Sequence, residues 1–143
     1  MLGSKSLTDG RVAALLNELE IDFETDADGD FQVMLEIMNR RYQQLVIKSE
    51  TKRLGELEIR KLYSVGYQSK KPLSQKVANL LLGINQSSTV GAWQLMESRG
   101  EYFAAYNAHV SADIDAPTLQ TVITAVAQSA DSIEDYLTGQ DNF

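Results

Sequence analysis

From Phe31 the sequence alternates: Phe31, Val33, Leu35 and Ile37 are separated by Gln32, Met34 and Glu36, with Met38 following. A period of two places each set on its own side of an extended strand, and one side is too apolar to leave in water. The chain must therefore build a sheet with a covered face, and the neighbouring segments decide how.

Upstream, the charged stretch Asp22 to Asp30 contains Ala27-Asp28-Gly29-Asp30. An Asp-Gly pair suits a tight hairpin in which both central residues take positive φ, so a hairpin tip is expected here. Downstream, Asn39 and Arg40 turn the chain into a strand over Tyr42 to Lys48, with Leu45 and Ile47 on one face and Val46 on the other. Lys52 to Gly55 is polar and breaks the pattern. Leu57, Ile59, Tyr63, Val65 and Tyr67 then recur at odd positions, Lys61 being the exception, which predicts a fourth strand. Val90 to Met96 and Tyr102 to Val110 flank Glu97-Ser98-Arg99-Gly100 and read as a second hairpin.

Three segments carry the helical period instead. Val12, Leu15, Leu16 and Leu19 predict a helix over about Leu7 to Glu20, entered through Ser6 and Asp9 in a capping-box-like arrangement. Val77, Leu80, Leu81 and Ile84 predict another from about Pro72 to Asn85, with the proline in its first turn. Leu119, Val122, Ile123, Val126, Ala130, Ile133 and Leu137 form one long stripe after Asp115 and Pro117, stopped by Gly139. With 143 residues, the expectation is one α+β domain over 1–143, an antiparallel sheet whose apolar face the two later helices cover.

The residues leave little for catalysis. Cysteine is absent, which removes thiolate nucleophiles, disulfides and Cys-ligated metals. His109 is the only histidine, in an alternating strand beside Asn107 and on the face opposite Tyr106 and Ala108, as a surface or edge-strand residue would be. Asp26, Asp28 and Asp30 have the spacing that opens an EF-hand loop, but Phe31 stands where its glycine belongs and Ile37 where its bidentate glutamate belongs. A solvated tip is the reading. No glycine pattern cradles a phosphate. Carboxylate pairs such as Glu18 with Glu20 and Glu134 with Asp135 read as solubility charges. No catalytic residue, metal or cofactor is expected, and an enzyme with an unrecognised site built from Asp and Tyr groups stands as the second alternative.

Charge is segregated. Arg40 to Lys76 holds ten basic residues against three acidic ones, a balance of +7 that leaves −14 for the remainder of a chain whose net charge is −7. That net charge opposes general affinity for nucleic acid. The basic stretch, with Arg40, Arg41, Arg60 and Lys61 as its candidate electrostatic surface and Tyr42, Tyr63 and Tyr67 interleaved, keeps a nucleic-acid-binding module as the alternative. An acidic segment of a partner is the simpler complement. Trp93, Tyr102, Phe103 and Tyr106 concentrate in the second hairpin, as core or as a partner-binding surface. No apolar run reaches the ~20 residues of a membrane span, and none follows Met1 to Lys5 as a signal peptide would require, so a cytoplasmic protein without membrane insertion is expected.

In three passages the chain resembles the YbjN-like family, whose members share the fold of type III secretion chaperones. They are Val77-Ala78-Asn79-Leu80-Leu81-Leu82-Gly83-Ile84-Asn85, Gly91-Ala92-Trp93-Gln94-Leu95, and Ala127 to Leu137, within a likeness that covers nearly the whole chain. The resemblance implies a strongly twisted sheet in α-β-β-β-α-β-β-α order, to which this chain adds a short strand near Phe23. It also implies a bacterial, non-enzymatic, chaperone-like or assembly-adaptor role, holding an extended segment of a client protein, and it adds a homodimer as an expectation. The client expected is a secreted or membrane-associated protein, or a component of a large assembly such as a microcompartment shell. The dimer helix of the secretion chaperones has no recognisable counterpart here, and no functional residue carries over.

Overall fold

A computed structural model describes residues 8–138. They form α1 (Gly10–Glu18), β1 (Glu24–Thr25), β2 (Phe31–Glu36), a 3₁₀ turn (Met38–Arg40), β3 (Tyr42–Leu54), β4 (Leu57–Ser69), α2 (Gln75–Asn85), β5 (Gly91–Ser98), β6 (Glu101–Ser111) and α3 (Ala116–Thr138). All six strands pair antiparallel in one sheet of order β1-β2-β3-β4-β6-β5. The fold is α+β, as the two periods require.

Local chemistry sets the boundaries, and several differ from expectation. α1 begins at Gly10 because Asp9 caps it, its carboxylate accepting the Arg11 backbone N–H at 2.9 Å. Ser6 lies outside the described residues, as does Gly139. α2 starts after Ser74, whose hydroxyl accepts from the Val77 N–H, so Pro72 precedes the helix instead of opening it. α3 does use Asp115, which accepts the Thr118 N–H at 2.8 Å, with Pro117 in the first turn.

The turns exchange roles. At Asp26 to Asp30 only Gly29 takes positive φ, and Asp26 accepts the Gly29 N–H while donating to the Asp30 carbonyl. Five residues therefore link β1 to β2, where a two-residue turn is expected. The two-residue turn with both central residues at positive φ is Arg99-Gly100, at φ 53° and 79°. Lys52 to Leu54 does not break the pattern: β3 runs through it to a tight turn at Gly55-Glu56, which Leu54 and Leu57 close as register partners.

One face of the sheet holds the core. Phe31 and Val33 of β2, Leu45 and Ile47 of β3, Leu62 of β4, and Trp93, Tyr106 and Ala108 of β5 and β6 pack against Val12 and Leu16 of α1, Val77 and Leu81 of α2, and the long stripe of α3. All three helices cover this face, α1 included. On β4 the buried set is Arg60, Leu62, Ser64 and Gly66, so the more apolar odd-numbered set faces away from the helices through Val65. Packing explains the inversion. A Cβ on Gly66 would lie 2.6 Å from the Trp93 ring and 2.9 Å from the Ala130 carbonyl, and only glycine admits both neighbours. The register shift between Val65 and Tyr67 then turns Tyr67 back toward the core, where it packs half-buried.

A larger irregularity lies in β3, where Ile47 pairs with Leu62 but Thr51 pairs with Arg60. The extra residues expose the Lys48 and Ser49 carbonyls, and Arg60 donates to both, at 2.9 and 3.0 Å. The same guanidinium reaches the Asp9 carboxylate at 2.7 Å, tying the cap of α1 to the sheet. At the far edge, the Trp93 backbone gives its N–H to Asn85 Oδ1 and takes a bond from Asn85 Nδ2, while the Gly91 N–H donates to the Tyr106 hydroxyl.

Candidate functional site

Alternation along β2, β3 and β4 presents a second face, opposite the helical core, which among the described residues only Glu134 of α3 borders. Gln32 and Met34, then Tyr42, Gln44 and Val46, then Tyr63 and Val65 occupy it in register. Tyr42 and Met34 are more than half exposed, at 58% and 59%, and Val46, Tyr63 and Val65 are half-buried among their neighbours. Met34, Tyr42, Val46, Tyr63 and Val65 line one open depression of about 350 Å³, together with Gln43, Gln44 and, from α3, Glu134. This is an apolar and aromatic surface in contact with solvent, and such patches mark interaction sites.

Toward the β3–β4 hairpin the same face turns basic. Lys48, Lys52, Lys61 and His109 surround a hollow of about 360 Å³, with Ile59, Gln94 and Glu50 completing its wall. Lys61 and His109 are register partners on β4 and β6, and His109 is an exposed residue just beyond the last β5 pairing at Ala108, as a surface or edge-strand histidine would be. Lys48 is held by Asp30 at 2.8 Å, which raises its proton affinity. Lys61 is different. Its ammonium donates to Gln94 Oε1 at 2.8 Å and lies 5.7 Å from the Tyr63 ring centroid, while burial first, and then Lys48 and Lys52, lower its pKa below the usual lysine value.

The expected electrostatic surface is thus divided. Arg60 is 3% exposed and spends its donors inside the fold, so it belongs to no surface. Arg41 is committed to α3, bonding the buried Asp131 at 2.8 Å and reaching Asp135 at 3.8 Å. Arg40 is exposed, in the left-handed conformation (φ 63°) that ends the 3₁₀ turn, and only Lys61 stands in the hollow. A nucleic-acid track through all four is not built. The aromatic set divides as well: Trp93 and Tyr106 are core residues, 7% and 3% exposed and packed edge to face at 5.6 Å. Tyr102 and Phe103 are half-buried beside the β5–β6 turn, on successive positions and so on opposite faces.

The aspartates of the β1–β2 loop bring their carboxylate oxygens within 4.8 Å of one another. Two of them, Asp26 and Asp30, are occupied in shaping the loop, and Asp28 is exposed. Asp26 accepts the Asp28 and Asp30 N–H groups and the Gln32 amide, and Asp30, buried and not solvated, accepts from Ser49 N–H and Lys48. Glu134 also departs from a plain solubility charge: burial, and then Asp131, push its pKa up.

No protein-family model and no curated protein matches this sequence. Among the described residues, no helix is long and apolar enough to cross a membrane. The open face therefore has to be interpreted from its own chemistry. Of its central residues, Met34, Val46 and Val65 were legible only as strand residues, and Tyr63 only as one of the tyrosines interleaved in the basic stretch. The available signal was that β4 is apolar at odd positions while its even positions hold Leu62 beside Ser64 and Gly66, small enough for a helix to approach.

Proposed function

We propose that the protein is a non-enzymatic binding module, chaperone-like or an assembly adaptor, that holds a segment of another protein on the open face of its sheet. The observation that carries this reading is the stripe formed by exposed Met34 and Tyr42 with half-buried Val46, Tyr63 and Val65 on the side of the sheet opposite the helical core. The resemblance to the YbjN-like family leans the same way. So does the use made of the strongly perturbed ionisable groups. Asp9, Arg11 and Glu58 owe their shifts chiefly to one another, and their bonds join α1 to the hairpin of β3 and β4.

A photo-crosslinking residue placed at Tyr42 or Val46, with one at Thr124 on the exposed side of α3 as control, tests the reading in the native cell. The expected result is one defined protein adduct from the sheet positions and none from the helix position, identified by mass spectrometry. Its purified binding should then be lost in Val46→Asp. Adducts confined to Thr124, or none at all, would overturn it.

A further inference from the structure

The open face is polarised along its strands, with cations at the hairpin end and apolar groups in the middle. Neither Lys52 nor Lys61 has a carboxylate partner among the described residues. Lys61 is half-buried, held only by the neutral Gln94 amide and the face of Tyr63, and Glu50 is the one carboxylate in the wall of the hollow. A partly desolvated ammonium near two others is unfavourable, and an anion brought beside it restores what burial removed.

We infer that the segment held on this face carries two or more carboxylates immediately ahead of an apolar stretch, the carboxylates meeting Lys52, Lys61 and His109 and the apolar side chains lying over Tyr63, Val46 and Val65. This rests on the open-face reading above and specifies its partner. A polynucleotide is a poorer complement. It carries a phosphate on every nucleotide and needs cations along its whole track, whereas here they stop where the apolar stripe begins.

The test uses fluorescence anisotropy with the full chain and a labelled synthetic peptide of three glutamates followed by alternating valine and serine. A version with lysines for the glutamates and a labelled oligothymidylate serve as comparisons. The acidic peptide should bind and the lysine version should not. K52E/K61Q should weaken the acidic peptide at least about tenfold with little change in the urea midpoint, since Lys52 is exposed and glutamine at 61 removes only a charge that burial opposes. Equal binding of the two peptides, an unchanged affinity in the double variant, or tighter binding of the oligothymidylate would each overturn the inference. A crosslinked partner at Val46 whose binding survives K52E/K61Q would sink this inference alone. Adducts confined to Thr124 would remove the open-face reading too.

Discussion

Arg60 and Lys61 are consecutive on one strand, carry the same charge and meet opposite fates. Arg60 lies under the helices with a carboxylate and two carbonyls satisfying its donors, and it fastens α1 to the irregular part of β3. Lys61, on the other face, rests on an amide and a ring and keeps its charge unmatched. A buried cation is tolerable when the fold supplies charged and carbonyl acceptors around it, and a half-buried one with only a neutral acceptor keeps an electrostatic demand that an anion could meet.

The largest effect should come from breaking the first arrangement. Arg60→Ala leaves the Lys48 and Ser49 carbonyls without their donor and Asp9 with Arg11 alone, and should cost about 3 kcal/mol in urea unfolding. A loss below about 1 kcal/mol would erase the contrast between the two residues. A smaller effect should appear in acid. Arg11 is the first cause that holds both Asp9 and Glu58 below their ordinary range, Glu58 down to about 2 from 4.5. The folded state then binds protons more weakly than the unfolded one. The contribution is complete above the unfolded value and is lost as pH falls from about 5 toward 2. Urea midpoints across that window should decline, and more gently in Arg11→Ala. An identical slope in the variant would detach the acid response from this network. The smallest effect belongs to Lys61→Gln, which should stay within about 0.5 kcal/mol and should not destabilise, because the charge it removes is one that burial and neighbouring lysines oppose. A clear loss would make Lys61 structural and weaken its assignment to binding.

Periodicity alone disclosed the elements, because alternation from Phe31 and the stripe ending at Leu137 are properties of a single segment. Which side of β4 faces the helices was not disclosed. Hydrophobicity ranks Ile59, Tyr63 and Val65 above Arg60, Ser64 and Gly66, but the helices need the small residues, and the irregular β3 carbonyls need the arginine. The tight turn moved from Asp28-Gly29 to Arg99-Gly100 for a related reason: Asp26 gathers the backbone N–H groups of its own loop and draws five residues into it. The open face was hidden with the strand's orientation. Arg41 and Arg60 counted as surface charge because their partners, Asp131 and Asp9, are remote in sequence.

Asn85 has a consequence for the company this molecule keeps. Its amide meets the outward backbone groups of Trp93 as a further strand would, and the Tyr106 hydroxyl takes the next outward N–H at Gly91. The margin of the sheet is closed there by the protein's own side chains, so identical chains meeting at β5 find no continuous ladder to extend. That protection works against end-to-end fibre growth through the Gly91 to Trp93 part of the edge.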